Sequence, residues 1–262
     1  ANAERLAPWV FMASKHALNR LLEAPGVTSW DDVIEAIRND ALVAQRAFVH
    51  SFADYQSSDR SEMLDLVPPE ARRLMDVGGG EGWFLSAFRV AGRGDGMLVE
   101  PSATSADVAQ ARGLKVATTR FECVTAEAHG QFDCISFLDV LEHMKNPLAA
   151  LEHAKWLLNP GGTVLLSVPN VGHWSVVEDL LEGRFDYLPL GILCCTHLRF
   201  FTERSLRELL ADAGLEVKAW RNQPSPLPQR MKAGLEAART AGVALDFTSL
   251  ETDSFQVLAE VA

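Results

Sequence analysis

The 262-residue chain has no run of Lys or Arg and no basic tail, and its formal charge is −11. Phosphate neutralisation dominates nucleic-acid binding, so a nucleic-acid partner is not expected. No apolar run approaches the length needed to cross a bilayer, and the first residues lack the short apolar core and small-residue cleavage site of a secretion signal. A cytoplasmic protein without a membrane partner is the expectation. Cysteine is scarce: Cys123, Cys134, Cys194 and Cys195 have neither metal-ligand spacing nor the look of a disulfide framework, so they read as reduced thiols. No Gly-x-Ser-x-Gly elbow is present, which removes a Ser-His-Asp hydrolase of that type, and no internal repeat or low-complexity tract appears. The remaining composition, 48% apolar and 23% charged, is that of a globular chain with one core.

Residues 1 to 60 carry helical and no strand patterning. Leu6, Val10, Phe11, Leu18, Leu21 and Leu22 mark one amphipathic helix closed by Pro25-Gly26; Thr28 or Ser29 caps a second before Asp31 and Asp32, and a third runs over about 41–55. From Arg72 onward strands and helices alternate, as in a parallel sheet covered on both faces. The strands are expected at 73–77, 96–100, 114–117, 132–138, 163–168, 215–220 and 255–261. A helix over 147–158 has Asn146 as its cap, Pro147 in its first turn and Asn159-Pro160-Gly161-Gly162 as its stop. The stretch 169–196 reads as irregular. Thr202 then caps a helix that Gly214 ends, and a Pro-rich turn over 223–228 leads to a polar helix.

The most informative segment is Leu74-Met75-Asp76-Val77-Gly78-Gly79-Gly80-Glu81-Gly82, an apolar strand running into a glycine-rich turn and then a helix over 81–90. Gly78, Gly80 and Gly82 allow positive φ and a close approach of backbone to ligand. A dinucleotide fingerprint starting at Gly78 would need glycine at 83, where the chain has Trp83. The spacing present, Asp-x-Gly-x-Gly-x-Gly, resembles that of class I S-adenosylmethionine-dependent methyltransferases. Phe132 to His143, ending Asp139-Val140-Leu141-Glu142-His143, is similar to a segment of the small-molecule methyltransferases that include those of ubiquinone and menaquinone biosynthesis. With Leu157 to Gly162, the resemblance covers about residues 70 to 170. Gly183-Arg184-Phe185-Asp186-Tyr187 and Thr196-His197-Leu198-Arg199-Phe200-Phe201 resemble a subgroup associated with sugar, polysaccharide and secondary-metabolite tailoring. Cys194-Cys195 departs from it, standing where that subgroup has an acidic–basic pair.

The resemblance implies a doubly wound, mostly parallel seven-stranded α/β sheet, Rossmann-like, with its last strand inserted antiparallel. Residues 61–262 would then form the cofactor-binding domain, and 1–60 an N-terminal helical extension serving either as a lid or as a packing or dimerisation element. The implied cofactor is S-adenosyl-L-methionine. Its cradle would be Asp76 toward the methionine ammonium, Gly78, Gly80 and Gly82 in the loop, Glu100 as a fork for both ribose hydroxyls, and Leu138 and Asp139 on the floor beside the sulfonium. The expected acceptor is small or carrier-borne and polar, methylated at a hydroxyl of a sugar or natural product. A hydroxyl must lose a proton, and His197, then His143, are the candidate bases. His197 could equally anchor its loop by a structural hydrogen bond. His173, Trp174 and Tyr187, with Phe185 and Phe200, are candidates for the acceptor wall, though aromatics at such spacing also build plain cores. No metal is called for, since the sulfonium leaves as a neutral group and positioning supplies much of the acceleration. The alternative is a non-catalytic partner or scaffold that keeps the fold and the pocket. The oligomeric state stays open.

Overall fold

The computed structural model describes residues 60–187, 191–194 and 196–261. The expected helices before residue 60, and Cys195, lie outside the described residues. Strand β1 (Arg73–Val77) pairs in parallel with β2 (Asp95–Val99) on one side and β4 (Phe132–Leu138) on the other. β3 (Val116–Ala117) adds to β2, and β5 (Leu158–Pro169) adds to β4, again in parallel. With β6 (Leu215–Pro224) and β7 (Thr252–Val261), the seven-stranded order is β3-β2-β1-β4-β5-β7-β6. The last strand thus enters between the fifth and sixth, the insertion expected. Residues 74–77 of β1 are all buried, the pattern of a strand covered on both faces.

The order fixes where a ligand can enter. After β1 the chain builds outward through β2 and β3, then crosses back to place β4 on the other flank of β1. The crevice at that reversal opens at the carboxyl ends of the strands. In register, Asp76 lies opposite Leu98 and Ser136, so its neighbours on both flanks are set by the ladders.

Two compact units share the described residues. One holds 60–168, Glu203–Gln223 and 254–261, including most of the sheet; the other holds Pro169–Thr202 and Pro224–Asp253. The core of the first gathers Met63, Val67, Leu74, Phe84, Leu85, Phe88, Leu98 and Leu114. Arg93 straps the lead-in to it by donating to the carbonyls of Leu64, Val67 and Pro68. The second unit packs Trp174, Leu227, Met231, Leu235 and Leu250 together. Asn170 fastens it: its fully buried amide donates to the Ser249 and Thr252 carbonyls, both at 2.8 Å, and accepts from the Gly172 N–H.

Three elements differ from expectation. A helix occupies Trp174–Leu181, inside the stretch read as irregular. Its cap is a histidine, whose Nδ1 accepts from the Ser175 N–H, a weaker signal in sequence than Ser, Thr, Asp or Asn. β5 begins at Leu158, because Asn159-Pro160-Gly161-Gly162 bulges the strand and does not stop it; Gly161 takes φ +74° and the register to β4 shifts there. β6 runs on through Asn222 to Pro224. No described helix is long and apolar enough to cross a membrane.

Candidate functional site

The glycine loop stands at the reversal point, directly after β1. Gly78, Gly80 and Gly82 have φ of +65°, +57° and +75°. Gly82 is irreplaceable on two grounds: its left-handed backbone, and Leu114 Cδ1, which would lie 2.3 Å from an added Cβ. Gly79 is needed for closeness alone, since a Cβ there would meet Asp76 Oδ2 at 2.1 Å. The loop is tied to β2 by the Gly78 N–H, which donates to the Val99 carbonyl at 2.7 Å.

Two carboxylates define the electrostatics. Asp76 is 1% exposed; its Oδ1 accepts from Ser136 Oγ at 2.8 Å, and its Oδ2 has no hydrogen-bond partner among the described residues. Burial raises its pKa to about 7, against the lowering effect of the Ser136 bond and with a further push from the Glu100 charge. Glu100, also buried, ends the β2 connection: Oε2 accepts from the Gly80 N–H at 3.0 Å and Oε1 from the Ser102 N–H at 2.7 Å. One carboxylate therefore bridges the glycine loop and the cap of the next helix, Ala103–Ala111.

Beyond β4, Leu138 is half-buried against the core, and Asp139 turns the chain at φ +56°. The Asp139 N–H donates to the Ser167 carbonyl and Ser167 Oγ returns a bond to Asp139 Oδ1. Its other oxygen pairs with Arg60, itself at φ +50°. These are the two non-glycine residues with positive φ among the described residues, which costs each of order 1 kcal/mol. Arg60 escaped the reading of the sequence, since no local pattern marks it. It puts a cation beside Asp139, suited to a carboxylate. An orphan buried carboxylate oxygen, a Glu carboxylate held against the loop, backbone opened by glycine and one Arg together fit a zwitterionic, ribose-bearing cation.

Asp76, Gly78, Gly80, Gly82, Glu100, Leu138 and Asp139 thus all stand at the carboxyl ends of β1, β2 and β4. His143, half-buried, closes the short turn Leu141–His143 that follows. The other candidates belong to the second unit. His173 is fully buried and caps the helix Trp174–Leu181, with burial lowering its pKa to about 4. Trp174 is 7% exposed, within that unit's apolar cluster. Tyr187 is half-buried, its ring 5.6 Å from Phe185 and 6.3 Å from Phe200. His197 is buried, and its Nδ1 lies 2.8 Å from the Ile192 carbonyl. A carbonyl only accepts, so Nδ1 carries the proton in this bond. The structural hydrogen bond that the sequence left open for His197 is made at Nδ1.

Residues 46–219, more than half of the chain, match a family described as a methyltransferase domain. The tRNA 5-carboxymethoxyuridine methyltransferase of Escherichia coli K12 is 27% identical over 173 residues, covering 63% of this chain and 64% of that protein. A ubiquinone biosynthesis O-methyltransferase of Dinoroseobacter shibae is 35% identical over 148 residues, covering 48% and 58%. The chain therefore spans less than two thirds of the length of these relatives. Among solved structures, the CcbJ methyltransferase of Streptomyces caelestis superposes with a TM-score of 0.55 at 12% identity, covering 80% of this chain and 90% of that one, a likeness of fold.

Proposed function

Because the chain belongs to the class I S-adenosylmethionine-dependent methyltransferases, with S-adenosyl-L-methionine as cofactor, we propose that it methylates a hydroxyl oxygen of a small or carrier-borne acceptor, a sugar or another natural product. The observation that carries this reading is the carboxylate of Glu100 held against the opened glycine loop, with Asp76 behind it and Arg60 beside Asp139. Once bound, the cofactor supplies an electrophilic methyl group on a positively charged sulfur. Glu100 accepts the ribose hydroxyls; Asp76 braces the loop and adds negative potential; Arg60 takes the amino-acid carboxylate. His197, its Nδ1 proton fixed on the Ile192 carbonyl, receives the acceptor's hydroxyl proton at Nε2. His143 is the second candidate for that role.

The ubiquinone O-methyltransferase relative supports transfer to oxygen. The tRNA methyltransferase relative raises an RNA acceptor, against which the net charge of −11 weighs. Titration calorimetry with S-adenosylmethionine, and release of S-adenosylhomocysteine over a panel of acceptors, test the proposal. Saturable binding with turnover is expected; binding without turnover on any acceptor would leave a scaffold role. His197→Ala is expected to lower turnover at least ~100-fold with cofactor affinity unchanged, and unaltered turnover would pass the role to His143.

A further inference from the structure

Resting on the cofactor cradle of that reading, we propose that Arg112, Trp83 and Glu81 form a clamp that keeps the glycine loop in the shape the cofactor needs. Arg112 is then a positioning residue for S-adenosylmethionine, 31 residues along the chain from the Glu81 it holds. Glu81 sits inside the loop, between Gly80 and Gly82, and Trp83 opens the helix Trp83–Val90. Glu81 Oε2 accepts from Trp83 Nε1 at 3.2 Å and from the Arg112 guanidinium at 3.4 Å. The guanidinium carbon lies over the Trp83 ring, 3.4 Å from its centroid, so the three side chains close on one another. The Arg112 and Glu81 side chains are each 28% exposed, and an ion pair that exposed is slight by itself. The stack on the indole is what fixes the guanidinium in place.

The clamp is one of two ties to a single helix. Gly80 is joined through Glu100 to Ser102, the cap that begins the helix Ala103–Ala111, and Glu81 is joined to Arg112, the cap that ends it. β2 and β3 run parallel, so the helix between them runs back from the carboxyl ends of the strands; at 1.5 Å per residue its far end is about 14 Å from the crevice. Arg112 therefore reaches Trp83 from behind the loop. Between the two ties Gly82 lies on the same helix, where an added Cβ would stand 3.4 Å from Ala109 Cβ.

A loop of this composition needs such ties. Residues 78–82 include four glycines, whose backbone has more conformations to choose from than that of any other residue. Fastening consecutive residues to opposite ends of one rigid element selects a single conformation before the cofactor arrives. Without the clamp, binding has to order the loop as well, and affinity falls by that cost. A nearby contact provides the comparison: Arg89 donates to the Gly113 carbonyl at 2.9 Å, joining the same two helices without touching the loop.

The test is titration calorimetry of the full chain with S-adenosylmethionine, for the parent, Arg112→Ala, Glu81→Ala, the double variant and Arg89→Ala. Arg112→Ala should raise cofactor Kd at least ~3-fold, within the range for one cation–π contact at a partly exposed site. The double variant should be no weaker than the worse single one, since either change opens the same clamp, and Arg89→Ala should bind as the parent does. By hydrogen–deuterium exchange, the amides of 79–83 should exchange faster in Arg112→Ala than in the parent, and be protected again once the cofactor saturates it. An unchanged Kd or unchanged loop exchange in Arg112→Ala would overturn the clamp. So would multiplying effects in the double variant, or an equal loss in Arg89→Ala, which would mark a general loosening of the helices. Failure of the parent to bind the cofactor would instead overturn the cradle on which the inference rests.

Discussion

Glu100 and Asp76 do different work although both are buried acids at strand ends. Glu100 accepts two backbone bonds that shape the loop and the cap of the next helix. Glu100→Gln turns one acceptor oxygen into a donor, and charge-assisted bonds are worth about 1.5–3 kcal/mol, so cofactor Kd should rise ~10- to 100-fold by calorimetry. Asp76 has its pKa raised to about 7 from 3.8, chiefly by desolvation. A raised acid favours the folded state fully below its unfolded value, and that contribution is lost as pH climbs through about 7. Asp76→Asn removes the titration, so its melting temperature should gain on the parent's between pH 5 and 8. An unchanging gap would mean Asp76 does not titrate there. The cofactor's positive charge favours ionised Asp76, so the parent should bind it more tightly at pH 8 than at pH 6, a trend the variant should lack. Asp76 and Glu100 were legible in sequence because strand-end position and acidity are local facts. Arg60 was not: its pairing with Asp139 depends on two distant segments meeting.

Elements were legible where periodicity and caps agreed. The helix Pro147–Leu157 has the Asn146 cap, its Oδ1 accepting from the Ala149 N–H at 3.1 Å, and Pro147 in its first turn, both written in the chain. β1 and β4 fall where their apolar runs put them. The helix Trp174–Leu181 went unread because eight residues and a histidine cap give a weak signal, and its stability comes from packing Trp174 and Val176 into separate apolar clusters. At this scale Asn170 is the weakest point of the second unit. Asn170→Ala strands the buried Thr252 carbonyl, the part-buried Ser249 carbonyl and the Gly172 N–H, at about 1–3 kcal/mol for an unsatisfied buried group. Chemical denaturation should show a loss of at least ~2 kcal/mol, the sum expected from more than one such group, and a loss below that would show the segment held by packing alone.

For the whole molecule, the charge of −11 sets a testable limit on partners. Fluorescence anisotropy with unmodified tRNA at 150 mM salt should show nothing tighter than the ~10⁻⁴–10⁻⁶ M of non-specific binding; tighter, saturable binding would favour an RNA acceptor. The strand order follows from the alternation of elements only once a family is supplied, because periodicity cannot tell which strand lies beside which. What the sequence by itself determined is the glycine turn and the strand-end acids proposed as the cofactor cradle: these are short-range features, imposed by backbone sterics and carried in consecutive residues. What only tertiary structure decided is the surroundings of the residues proposed for the acceptor side. His173 caps a helix, Trp174 packs in an apolar cluster, His197 donates to the Ile192 carbonyl, and the rings of Phe185, Tyr187 and Phe200 lie together. Burial and ring angle are properties of contacts between segments, and a linear pattern carries neither.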